Sequence, residues 1–143
     1  MIANDKYRFK LVLYLTLIQL LLDINKKRND GCKKISLKLF IILLIHHFIS
    51  VFLHFGWIFN DKRVLILYIL SVNIIYVQFL FNDDKCVLTQ IENKLCEYKP
   101  YRYFTDYCHW IGFKNKKVYG IDIPDLYISI VYAFAWYKLI IFK

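Results

Sequence analysis

A chain of 143 residues that is 59% hydrophobic and 19% aromatic has more apolar surface than one core of its size can hide. That composition argues against an ordinary water-soluble domain and points to lipid as the missing solvent. The formal charge of +9 would suit nucleic acid or anionic lipid. The Lys and Arg residues fall between the apolar runs and hardly within them, so they read as setters of membrane orientation, and no nucleic-acid partner is expected.

Four apolar runs set the elements, and a bilayer core of about 30 Å needs roughly 20 helical residues to cross it. The first run, 11–22, predicts a helix over about 8–24. Lys6, Arg8 and Lys10 precede it as in a signal peptide, but Asp23-Ile24-Asn25-Lys26 follows where a small-residue cleavage site would stand, so the segment is expected to be retained. Thr16, Gln19, Asp23 and Lys27 recur at helical spacing as one polar stripe on an otherwise apolar helix, which reads as a span in preference to an interfacial helix. The second and third runs predict spans over 39–59 and 64–82. Only Asn60-Asp61-Lys62-Arg63 separates them, which forces an antiparallel helical hairpin. The fourth run predicts a span over 126–142, with Lys138 close enough to its end to snorkel. The expected fold is all-α: one domain over 1–143, a three- or four-helix transmembrane bundle with an extramembrane loop of short helices at 83–125. Lys26, Lys27, Arg28, Lys33, Lys34 and Lys38 against Asp30 place the 24–38 segment, and with it the large loop, on the cytoplasmic side. Trp57, Phe59, Tyr68, Phe79, Phe81, Tyr127, Trp136 and Tyr137 lie mostly near the span ends and read as an interfacial aromatic belt.

Polar side chains in a span turn toward neighbouring helices. A hairpin folded about 61–62 brings His47 level with Gln78 and His54 level with Ser71, so two polar layers are expected, about 10 Å apart. No second span offers a histidine, and His47 and His54 stand too far apart to share one haem iron. The second and third runs hold no Asp or Glu to partner these histidines in a proton relay.

In the large loop, Thr89 and Glu92 have the spacing of a capping box, opening a short amphipathic helix that carries Leu88, Ile91 and Leu95. A second short segment, 104–113, has Thr105 as a cap and Gly112 as a terminator. Cys86, Cys96, Cys108 and His109 are ligand types suited to zinc, but at spacings wider than the usual two to four residues, and no metal or other cofactor is expected. The four cysteines allow three pairings, among which Cys86–Cys108 and Cys86–Cys96 stand foremost if a bridge forms. A Cys-x-x-Cys redox pair is absent.

The pattern Cys86, Leu88, Thr89, Glu92 and Leu95 resembles the Cys-x-Leu-Thr-x-x-Glu-x-x-Leu signature of a family of small bacterial membrane proteins of unknown function. Uncharacterised proteins of large DNA viruses are similar too, including the His46-His47 to Gly56-Trp57 stretch before the motif. The bacterial signature has Pro after its Cys, where this chain has Val87. The resemblance spans about 40–112 and implies a multi-pass membrane architecture without an activity. Two functional readings follow. One is an integral membrane protein with a structural role or one in binding other membrane proteins. The other is a membrane-embedded redox or cofactor-binding protein that joins the histidine-bearing span to the cysteine loop.

Overall fold

The computed structural model describes residues 2–32, 34–98, 102, 117–118 and 121–141. Five α-helices carry the described chain: α1 Ile2–Asn29, α2 Leu37–Phe55, α3 Lys62–Leu80, α4 Val87–Leu95 and α5 Ile123–Ile141. A 3-10 turn at Gly56–Ile58 closes α2, and Lys117–Val118 pairs antiparallel with Ile121–Asp122 just before α5.

The α2–α3 hairpin forms as the short link requires. Ser36 caps α2 by accepting from the Leu39 amide at 3.2 Å, and Asp61 caps α3 by accepting from Arg63 at 2.7 Å. Gly56, the C-cap of α2, lets α3 approach closely: a Cβ there would run into the Tyr68 ring. Among the described residues, two helices are long and apolar enough to cross a membrane, Leu37–Ile58 and Lys62–Leu80.

α1 runs the full length of this hairpin. Its 28 residues measure about 42 Å. At one end the Asp5 carboxylate accepts from the Asn60 and Asp61 amides at 3.1 and 2.9 Å, tying α1 to the α2–α3 link. At the other end α1 meets the start of α2 and the inner face of α4. The chain then turns at Asp83 and Asp84, both in the left-handed region, where Gln78 and Asn82 donate to the Lys85 carbonyl. α5 packs on α3 through Val131 and Ala135 against Leu65, Tyr68 and Ile69. The Lys138 ammonium donates to the carbonyls of Trp57 and Phe59 at 3.1 and 2.5 Å, satisfying orphan acceptors at the hairpin end.

The interior holds polar residues beside its apolar clusters, and many large apolar side chains face outward. Thr16, Gln19, Asp23, His46, His47, Ser50 and His54 are buried, while Leu17, Ile18, Ile41, Ile74, Leu80 and Ile140 are exposed.

Candidate functional site

The stripe on α1 points at the two histidines of α2. Asp23, 2% exposed, lies 3.1 Å from His47 Nε2, and one turn later Lys27 Nζ lies 3.6 Å from the same carboxylate oxygen. From the third side α4 inserts Glu92, 1% exposed. Its two oxygens divide between two partners: Oε1 meets His46 Nδ1 at 2.5 Å, and Oε2 lies 3.0 Å from Lys27 Nζ. Lys27 therefore bridges Asp23 and Glu92, and three helices are joined by one buried charged cluster. Burial presses the Lys27 pKa down, but the charges of Glu92 and Asp23 outweigh it and hold the ammonium above its ordinary range.

The far side of His46 carries the chemistry. Its Nε2 is 3.5 Å from Cys86 Sγ. Glu92, an acceptor when ionised, fixes the proton on Nδ1 and leaves Nε2 facing the thiol. Cys86 is the N-cap of α4, so its sulfur stands at the positive end of that helix. The Thr89 hydroxyl is 3% exposed. It is directed at the sulfur, as is its own backbone amide. Burial pushes the Cys86 thiol up, but the hydrogen bond and charge of His46, with help from Thr89, bring it down to about 7. Cys86 is half-buried and free. A thiol, an imidazole and a carboxylate in this order form the nucleophile–base–orienter arrangement of covalent catalysis.

A disulfide joins Cys32, in the α1–α2 link, to Cys96, the C-cap of α4, and both are 5% exposed. It holds α4, and therefore Glu92, against the other two helices. Tyr98 adds a second tie by donating to the Lys27 carbonyl at 3.2 Å. A cleft of about 520 Å³ between α1 and the start of α2 is lined by none of these charged residues, so size alone does not mark the site.

Several sequence expectations are corrected here. His47 meets Asp23, while Gln78 donates to the Lys85 carbonyl at 2.7 Å; the expected His47–Gln78 layer gives way to these partnerships. His54 donates from Nδ1 to the Ser50 carbonyl at 2.7 Å and stacks on Tyr127, while Ser71 bonds back to Leu67 of its own helix. The acidic partners thought missing come from α1 and α4, outside the two spans. Thr89 and Glu92 form no capping box, because α4 starts two residues before Thr89 and the Glu92 carboxylate is held by stronger charged partners. Cys96 pairs with Cys32, not with Cys86, which also removes Cys96 from the zinc set. Cys108, His109 and the 104–113 segment lie outside the described residues. Among the described residues, no group of three or more His, Cys, Asp or Glu is arranged to hold a metal.

The line Cys86–His46–Glu92 was not anticipated. The signal for it was the stripe Thr16, Gln19, Asp23 and Lys27, whose charged end needed buried partners of its own. No family model matches this chain, and no curated protein or solved structure is significantly similar to it.

Proposed function

We propose that this chain is a multi-pass integral membrane protein that carries an activated cysteine at one end of its helical bundle, as a thiol-dependent enzyme of the membrane surface. Its membrane character is supported by α3: only 17% of the most apolar stretch of this helix is buried within the protein, where the core helix of a soluble domain would be enclosed. The outward apolar faces of α1, α2 and α5 extend the same surface. α1, tied to the hairpin at both ends, is read as a further span, and α5 as the fourth.

The histidine-bearing span and the cysteine loop do meet, as a thiol beside an imidazole, which supports a nucleophile and its base and differs from the redox or cofactor-binding role read from the sequence. The observation that carries this assignment is His46 standing between Cys86 Sγ and Glu92 Oε1, at 3.5 and 2.5 Å. Cys86 is the nucleophile, His46 the base and Glu92 the group that orients it. A structural role needs the Asp23–Lys27–Glu92 cluster and the bridge, but it needs no half-exposed thiol in line with an imidazole. The resemblance to small bacterial and viral membrane proteins rests on the same residues, since Cys86, Thr89 and Glu92 belong to the shared pattern.

The test is the rate at which Cys86 attacks a small aromatic disulfide in the detergent-purified full chain, followed by mass mapping. Replacing His46 by Gln slows the reaction at neutral pH. Equal rates in the two proteins would overturn the assignment and return the cluster to a structural role.

A further inference from the structure

The cleft of about 520 Å³ at the basic end of the bundle lies between the last two turns of α1 and the first turn of α2, and it falls in the size range of ligand sites. Its lining changes character along one axis. Asn25, Arg28 and Ser36 stand toward the outer rim, and Leu21 and Phe40 line it further in. α1 runs toward this end and α2 runs away from it, so depth follows the numbering. Leu21 lies about 10 Å inward of Arg28, and Phe40 about one helical turn inward of Ser36. Leu21, Phe40 and, at the mouth, Leu37 are exposed.

Charge at the rim is of one sign. Between Asn25 and Lys38 the chain has Lys26, Lys27, Arg28, Lys33, Lys34 and Lys38 and a single acid, Asp30. Arg102 holds Asp30 at 2.7 Å, and Lys27 is turned inward to Asp23 and Glu92. Arg28, Lys34 and Lys38 are exposed and form no ion pair among the described residues. A guanidinium above an apolar trough matches a phosphate above a hydrocarbon chain, because its planar fork binds phosphate oxygens in pairs. A soluble phosphate would leave the trough unused, and a neutral lipid would leave the rim unused. A second copy of the chain would bring its own charge of +9 against the same basic end.

We propose that this cleft binds an anionic phospholipid, with the phosphate at Arg28, flanked by Lys34 and Lys38, and an acyl chain laid along Leu21 and Phe40. This rests on the membrane reading above and is independent of the thiol chemistry. The site also bears on α4. Ile24 and Ile35 line the cleft and pack against the cluster of Leu20, Cys32, Leu39 and Cys96 that clamps that helix. A bound lipid braces this cluster from outside and stabilises the folded chain, the form that has the cleft.

The full chain, purified in a neutral detergent, is titrated with dioleoyl phosphatidylglycerol or dioleoyl phosphatidylcholine. Bound lipid is counted by native mass spectrometry and the melting midpoint is followed in parallel. Phosphatidylglycerol should bind in preference and raise the midpoint. One basic residue near an anionic headgroup is worth about a fivefold factor, so Arg28→Gln should lower the preference about fivefold. Lys62→Gln, in the hairpin turn at the opposite end, should leave it unchanged. A phosphatidylglycerol with a diazirine in its acyl chain should label the peptides that hold Leu21 or Phe40. Equal binding of the two lipids, the same loss in Lys62→Gln as in Arg28→Gln, or label spread evenly over α3 and α5 would overturn the proposal. So would an equal midpoint rise from sn-glycerol 3-phosphate, which has the phosphate without the chain, or a dimer whose cross-links cover Leu21 and Phe40. If the chain stays in solution as a monomer without detergent, the membrane reading fails and takes this site with it. If it needs detergent but shows no lipid preference, only the site is wrong.

Discussion

Replacing His46 by Gln tests the site most directly, because it predicts a crossing of two pH profiles. In the intact protein the Cys86 thiol titrates at about 7, so about half is thiolate at pH 7. Without His46 the thiol returns toward its ordinary value of 9.0, where only about 1% is ionised at pH 7. That alone is a loss of roughly 50-fold in reactive species. The less acidic thiolate is intrinsically the better nucleophile, and a Brønsted slope of about 0.4–0.5 over two pK units restores roughly six- to tenfold. The net expectation is a rate about five- to eightfold lower at pH 7 in the variant. At pH 10 both forms are largely ionised, and the variant becomes about five- to ninefold faster. The curves cross near pH 8 at the rough values above. The assay is stopped-flow attack on 4,4′-dithiodipyridine from pH 5.5 to 10.5, with Cys86 identified by mass. Glu92→Gln, which keeps the shape of the orienting group, should lie between the two. Parallel curves that never cross, or a wild-type midpoint near 9, would refute the reasoning.

Three further outcomes follow from the cluster and its supports. Lys27→Met leaves Asp23 and Glu92 buried without their shared cation, and should cost about 3 kcal/mol or more in denaturant unfolding. Because the folded Lys27 pKa is raised, its stabilisation is present below its ordinary value of 10.5 and is lost as pH rises through the folded value; wild type should weaken in strong alkali and the variant should lack that limb. Reduction of Cys32–Cys96, which closes a separation of 64 residues, should lower stability by up to about 4 kcal/mol and loosen α4, seen as faster amide exchange in 87–95. A non-reducing mass map without this bridge would remove that tie. Gln19 is 1% exposed with neither amide atom partnered among the described residues, so Gln19→Leu should stabilise by about 1–3 kcal/mol in a thermal melt; a fall would mean the amide has a partner.

Length and hydropathy alone located α2 and α3, because those signals are local and a four-residue link leaves no other topology. The polar face of α1 was legible for the same reason: Thr16, Gln19 and Asp23 are all buried on one side. The partnerships were not legible, because each one that matters is distant in sequence. His46 meets Glu92 across 46 residues, and His47 meets Asp23 across 24. Matching depth within the hairpin treated α2 and α3 as each other's partners, yet the polar face of α2 turns to α1 and α4. The Thr89–Glu92 spacing fits a cap in an isolated helix. In the folded chain two charged partners hold Glu92, and charge-assisted contacts outweigh a cap to a backbone amide. The bridge was missed for a related reason: Cys32 looked like part of a basic loop, and only the antiparallel course of α1 and α2 brings it to the end of α4.

On the proposed membrane reading, two rules disagree about which side this end faces. The basic segment 24–38 assigns it to the cytoplasm, where thiols are kept reduced. The same segment contains Cys32, bridged to Cys96. Charge bias acts during insertion, on the unfolded segment. A bridge forms afterwards, once the fold has brought the cysteines together, here with Cα atoms 4.8 Å apart. The two rules therefore bear on different moments and need not exclude each other. Once formed, a bridge between cysteines 5% exposed, under a layer that includes Tyr98 and Leu95, gives reductants little access. Cys86 is half-buried and stands a helix length away at the other end of α4. Nine helical residues put about 14 Å between the two ends of α4, so Cys86 cannot attack the bridge while the helix is intact. One cysteine pair clamps α4 in place, and the Cys86 thiol at its other end is turned toward His46.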